Sequence, residues 1–222
     1  MFDLLKFKRK YKKDIKLLKA NLINLPKFWD GKESILELKE ANYQWRQMEW
    51  WAFYFEYKVR NLLADKFSFP GDQYENVSFD FKGAINWDLK AHAIKSNEHK
   101  VILNDKLAME KSIEKMGCHG EIIALCDVEY NDNDRTFQKW HTELKGGKSE
   151  YELAREERTS ISRYRKTKAE LTEIILLLIT KENIEDLDVH KQGRNSNGSP
   201  RNPKYVLDIE LIDKFENYII KI

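Results

Sequence analysis

Apolar residues at helical spacing open the chain. Leu4, Leu5, Tyr11, Ile15, Leu18 and Leu22 recur between lysines, predicting an amphipathic helix within residues 1–25 that Pro26 ends. Residues 34–66 predict one long helix or two, with a very aromatic middle, NYQWRQMEWWAFYFEYKVRNLL, whose tryptophans suit a core or an interface between copies. Phe69-Pro70-Gly71-Asp72 breaks the pattern. The period then changes to two. Val77, Phe79 and Phe81 alternate with Ser78, Asp80 and Lys82, Gly83 marks a turn, and Ile85, Trp87, Leu89, Ala91 and Ala93 alternate with Asn86, Asp88, Lys90 and His92. Two adjacent antiparallel strands follow from this.

Further on, Leu103 to Met116 predicts a short helix ended by Gly117, and EIIALCDVEY (121–130) a more buried strand. Residues 131–134 read as a loop and 136–144 stay unassigned. TKAELTEIILLLITKE (167–182) predicts a buried helix, Tyr205 to Leu211 a strand, and the last residues a short helix. The expected fold is α+β, a mixed β-sheet core flanked by helices in one domain over 1–222. Residues 1–32 would be a helical arm, and the Gly-, Asn-, Ser- and Pro-rich stretch 190–205 a functional loop.

Composition narrows the class. With 41% hydrophobic and 34% charged residues the chain is globular, and a net charge of +2 does not by itself announce a nucleic-acid partner. Two cysteines, Cys118 and Cys126, make neither a disulfide framework nor a zinc motif. The lysine-spaced start is unlike a signal peptide, and the apolar run 174–179 is too short to span a bilayer. A reduced, cytoplasmic setting with no membrane contact is expected.

The strand pair carries the candidate chemistry. Asp88 and Lys90 share a strand face, and Asp80 lies on the polar row of the preceding strand. Two close carboxylates repel unless a cation joins them, and hard oxygen ligands suit Mg²⁺, or Mn²⁺ in its place. Such a group with a lysine beside it suits metal-assisted phosphodiester hydrolysis. A solvated polar hairpin face explains the same residues equally well. Two acid-poor stretches suit DNA. SISRYRK supplies Arg163, Arg165 and Lys166, and the loop supplies Gln192, Arg194, Asn195, Arg201, Asn202 and Lys204, side chains that contact phosphates and base edges.

Phe79-Asp80, seven residues, then Asp88-Leu89-Lys90 resembles the bipartite motif of the PD-(D/E)xK nucleases, with Phe79 where proline is commonest. That superfamily has a core of αβββαβ order, and the predicted elements between about residues 40 and 212 follow it with one extra helix. The resemblance implies catalytic roles for Glu56, Asp80, Asp88 and Lys90. It implies metal ligation by Asp80, Asp88 and the Leu89 main-chain carbonyl, with a helix glutamate, Glu56 or alternatively Glu49. A compact member with arginine- and asparagine-rich loops resembles a type II restriction endonuclease, a homodimer that cuts duplex DNA at a short site using Mg²⁺. A repair or structure-specific nuclease of the same superfamily, and a DNA-binding module without catalysis, are the alternatives.

Overall fold

The computed structural model describes residues 4–70, 79–94, 99–130, 134–157, 164–193 and 198–222. In chain order the elements are α1 (Leu4–Leu22), β1 (Phe28–Asp30), α2 (Gly31–Glu40), α3 (Trp50–Leu63), β2 (Phe81–Lys82), β3 (Asn86–Ala93), β4 (Lys100–Asp105), α4 (Lys106–Met116), β5 (His119–Glu129), α5 (Thr136–Leu144), α6 (Glu150–Glu157), β6 (Lys168–Ile179), β7 (Asp188–His190), β8 (Lys204–Asp208) and β9 (Glu216–Lys221). The fold is α+β. A six-stranded mixed sheet runs β1-β6-β5-β3-β2, with β9 also on β6, and a three-stranded sheet runs β4-β8-β7. Among the described residues only β3 and β5 pair in parallel.

Both faces of the large sheet are covered. On one face α1, α2 and α3 pack Leu18, Leu22, Ile35, Leu38, Trp50 and Phe55 against Trp87, Ile122, Ala124, Ile174 and Leu176. On the other, α4 and the small sheet pack Met109, Ile113, Leu103, Tyr205 and Leu207 against Ile123, Leu125, Ile175 and Leu177. Residues of α1 thus belong to the principal core, and buried Asp14 ties that helix to the sheet. Its Oδ2 accepts from Ala84 N at 2.8 Å and Trp87 Nε1 at 3.1 Å.

Three expected elements are corrected. Residues 167–182 hold the twelve-residue strand β6, not a helix. Burial on both faces removes the alternation that marks a half-buried strand, and what remains is a continuous apolar run rich in β-branched residues. Leu103 to Asp105 end β4, and α4 begins at Lys106, where the Asp105 carboxylate accepts from Leu107 N and Ala108 N. The chain's last element is strand β9, preceded by a 3-10 stretch, Ile209–Lys214, rather than a closing helix. The order αβββαβ is present, but as α3, β2, β3, β5, α5 and β6. The unassigned residues 136–144 supply its second helix, and β8 lies in the other sheet.

Gly120 of β5 stands opposite Trp87 in the parallel register. A methyl there would overlap the indole, 2.6 Å from Cδ2. That ring is held by Asp14 and stacks on Phe81 with centroids 6.4 Å apart, so it has no easy retreat. Gly120→Ala is expected to cost about 1–3 kcal/mol, read as a lower midpoint in denaturant unfolding. An unchanged midpoint would mean the ring repacks freely.

Candidate active site

The site forms at the start of β2. After Phe81 and Lys82 the chain turns at Gly83, where any Cβ would meet the Asp14 carboxylate at 2.5 Å, so α1 and the turn approach this closely only with glycine. Asp80, just before β2, donates its N–H to Trp87 O at 3.0 Å, and its Oδ2 accepts from Leu89 N at 2.6 Å. A carboxylate therefore takes the place of the next strand residue. In a strand the N–H and C=O of one residue lie on the same edge, so the Leu89 carbonyl points to the Asp80 side.

Asp88 and Lys90 project from the opposite side of the sheet to Trp87 and Leu89. The register sets Asn86 beside His119 and Asp88 beside Glu121. Asp88 is buried, its Oδ2 accepting from the side-chain amide of Asn104 on β4 and standing 3.0 Å from His119 Nε2. His119 Nε2 is also 3.5 Å from Glu121 Oε1, and both residues are fully buried. These are close ionic contacts with poor aim for hydrogen bonds: His119 Nε2 and both Glu121 carboxylate oxygens make no hydrogen bond among the described residues. Glu56 approaches from α3 and accepts from Tyr43 Oη at 2.5 Å.

The charges act on one another strongly. Burial, then the charges of Asp88 and Glu56, push the Asp80 carboxyl up to about 8 against the pull of Lys90. Burial would also raise Asp88, but Lys90 and His119 hold it below the usual carboxylate range. Burial raises Glu56, which the Tyr43 hydroxyl and Lys90 only partly oppose. Burial would lower Lys90, yet Asp88, Glu121, Asp80 and Glu56 together drive it above the ordinary lysine value, so it stays an ammonium ion. Burial likewise works against protonated His119, but Asp88 and Glu121 carry it up to about 9. Lys204, the first residue of β8, is lowered by burial and by Lys90, and feels Asp105, Asp88 and Glu121. That places it beside the cluster.

The structure thus brings Glu56, Asp80, Asp88 and Lys90 together. It does not bring Glu49, which caps α3 with no cap hydrogen bond from its side chain. Glu49 Oε2 instead takes Lys166 Nζ at 2.7 Å and Trp51 Nε1 at 2.8 Å. Glu121, His119 and Asn104 join the site without having been expected there. Glu121 opens the buried run EIIALCDVEY, and an acid inside such a run was the available signal.

Of the expected DNA contacts, Arg163, Arg194 and Asn195 lie outside the described residues. Arg165 is only 7% exposed. Lys166 is ion-paired to Glu49 and lies over the Trp51 ring, 4.8 Å from its centroid. Arg201 and Asn202 are exposed at the base of the 190–205 loop, where Gln192 Nε2 donates to Asn202 O at 2.7 Å and Arg201 N to Gly193 O at 3.1 Å. This loop joins β7 to β8, so it leaves the body at Lys204, next to the acids.

The donors suit a hard divalent cation. Asp88, His119 and Glu121 each offer a ligand atom within 4.8 Å of the others, all three buried, and the charges of Asp88 and Glu56 act on Asp80 nearby. The bare oxygens of buried Glu121 are the kind of cost that a bound cation relieves. Among the described residues, no helix is long and apolar enough to cross a membrane.

No protein-family model matches the chain, and no curated protein matches it. Among solved structures, the restriction endonuclease BglI bound to its DNA recognition sequence is similar to this chain at 12% identity, covering 100% of this chain and 99% of that one, with a TM-score of 0.35.

Proposed function

We propose that the chain is a Mg²⁺-dependent, sequence-specific DNA endonuclease of the type II restriction kind, cutting duplex DNA as a homodimer. The observation that carries this is that Asp80, Asp88, Glu56 and Glu121 all act on Lys90, where the pairing of β2 with β3 ends. Asp80, Asp88 and the Leu89 carbonyl would hold the cation, with Glu121 or Glu56 completing the set. Bound there, it would polarise a phosphoryl oxygen and make water a stronger acid.

The other roles fall to side chains. Lys90 is held firmly cationic, so it stabilises charge developing on the phosphate rather than abstracting a proton. Glu56, raised by burial, is the group best placed to take a proton from attacking water. Lys204 adds a second cation at the edge from which the 190–205 loop departs. A two-fold dimer presents two such edges to a palindromic site.

Incubation of the purified protein with a sequenced plasmid tests this. Discrete Mg²⁺-dependent fragments with uniform ends are expected. Nicking or a smear would favour a repair or structure-specific nuclease, and intact DNA that is nevertheless bound would favour a module without catalysis.

The loop has its own test. Arg201→Ala and Asn202→Ala are expected to weaken cognate binding by about 1–3 kcal/mol each, with little change on random DNA, in titrations at fixed salt. Wild-type binding should fall steeply with added salt as phosphate contacts are screened. Equal loss on cognate and random DNA would make these residues phosphate contacts only.

A further inference from the structure

The buried trio behind the strand edge has a donor set different from that of the hairpin acids. Asn86 and Asp88 of β3 stand beside His119 and Glu121 of β5, and all four share one face of a parallel ladder. One potential ligand atom from each of Asp88, His119 and Glu121 lies within 4.8 Å of the others. His119 Nε2 and both Glu121 oxygens, on fully buried residues, take no hydrogen bond among the described residues. The imidazole is fixed from behind, with Nδ1 3.1 Å from Ser112 Oγ, which in turn accepts from Asn86 Nδ2 at 3.1 Å. With Nδ1–H given to Ser112, a cation that displaces the proton from Nε2 would meet an Nε2 lone pair aimed at the two carboxylates. Outer-shell support of this kind orients metal-bound histidines.

We infer that Asp88, His119 and Glu121 form a mixed nitrogen–oxygen site for a first-row transition cation, so that the protein binds Mn²⁺ in preference to Mg²⁺. Mg²⁺ sheds water reluctantly and is usually held through one or two carboxylates with several waters kept. A dry pocket with an imidazole donor suits it poorly and suits a transition ion better. The inference rests on the cluster being a cation site, as in the proposed function. Asp88 belongs to both donor sets, and His119 would be what sets the identity of the ion.

The test uses the full-length, metal-stripped protein without DNA. Calorimetric titration should show Mn²⁺ binding roughly tenfold or more tightly than Mg²⁺. Pulsed electron paramagnetic resonance of the Mn²⁺-loaded wild type should show a ¹⁴N coupling that ¹⁵N-histidine labelling replaces. His119→Gln should lower Mn²⁺ affinity on the order of 10- to 100-fold and leave Mg²⁺ affinity near wild type. Should that variant fail to fold, the spectrum of the wild type decides alone. Equal affinity for the two ions, or no nitrogen coupling, overturns the inference and leaves His119 as a plain ion-pair partner of Asp88 and Glu121. A nitrogen coupling without DNA cleavage under any cation would sink the nuclease reading but not this one. Mg²⁺-supported cutting without the coupling would do the reverse.

Discussion

Lys90→Ala is expected to lower the rate of DNA cleavage by roughly 10²–10³ or more while leaving divalent-cation binding intact or tighter. Asp88, Glu121, Asp80 and Glu56 all act on Lys90, and they act to keep it charged. Its removal takes a positive charge away from the developing phosphate charge and also from beside the cation's ligands. The first effect slows chemistry and the second favours cation binding. Asp88→Asn is expected to lose both. It keeps the shape and a contact to Asn104 but removes the charge shared by His119, Lys90 and the cation. Single-turnover cleavage and calorimetry on the two variants separate these roles. If Lys90→Ala cut DNA at the wild-type rate, the residue would be no more than an ion-pair partner.

Without a divalent cation, folding stability is expected to fall as pH rises from about 4 to about 9. In the folded protein Asp80 keeps its proton up to about 8, whereas its ordinary value is 3.8. Across that interval the folded state binds more protons than the unfolded chain, so raising the pH favours unfolding. His119 works in the same direction. Its folded value of about 9 against an ordinary 6.5 gives stability that is complete below 6.5 and lost as pH climbs through 9. Each group contributes a slope of up to about 1.4 kcal/mol per pH unit within its window. A cation replaces the Asp80 proton, so the gain in melting temperature on adding Mg²⁺ should be larger near pH 8.5 than near pH 6. Asp80→Asn imitates the protonated carboxyl. It should flatten the slope and raise the apo melting temperature at high pH, even though it disables the site. Thermal melts across this range check the account, and a slope unchanged by Asp80→Asn would contradict it.

What the sequence made legible follows from which patterns are local. Alternation on either side of Gly83 placed Asp80, Asp88 and Lys90 together, because a tight turn fixes its own pairing. Glu56 could not be separated from Glu49 by spacing alone. The break before Trp50 leaves Glu49 at the helix end with Lys166, while Glu56 feels Lys90 and Asp88. Glu121 and His119 stayed hidden for a different reason. Their strand pairs in parallel with β3 across the intervening β4 and α4, and no local pattern states the register of such a crossover. β6 reads as a helix in sequence because a strand buried on both faces loses the period that identifies it. Arg165 stands in an acid-poor stretch that suits DNA contact, and its burial follows only from packing.

The most direct measurement sets wild type and Asp88→Asn side by side on one plasmid, each with Mg²⁺, with Mn²⁺ and with chelator. The account predicts discrete fragments from the wild type with either cation, none with chelator, and none from Asp88→Asn under any condition. Fragments that persist in chelator, or equal cutting by Asp88→Asn, would contradict a cation-dependent hydrolysis centred on this strand.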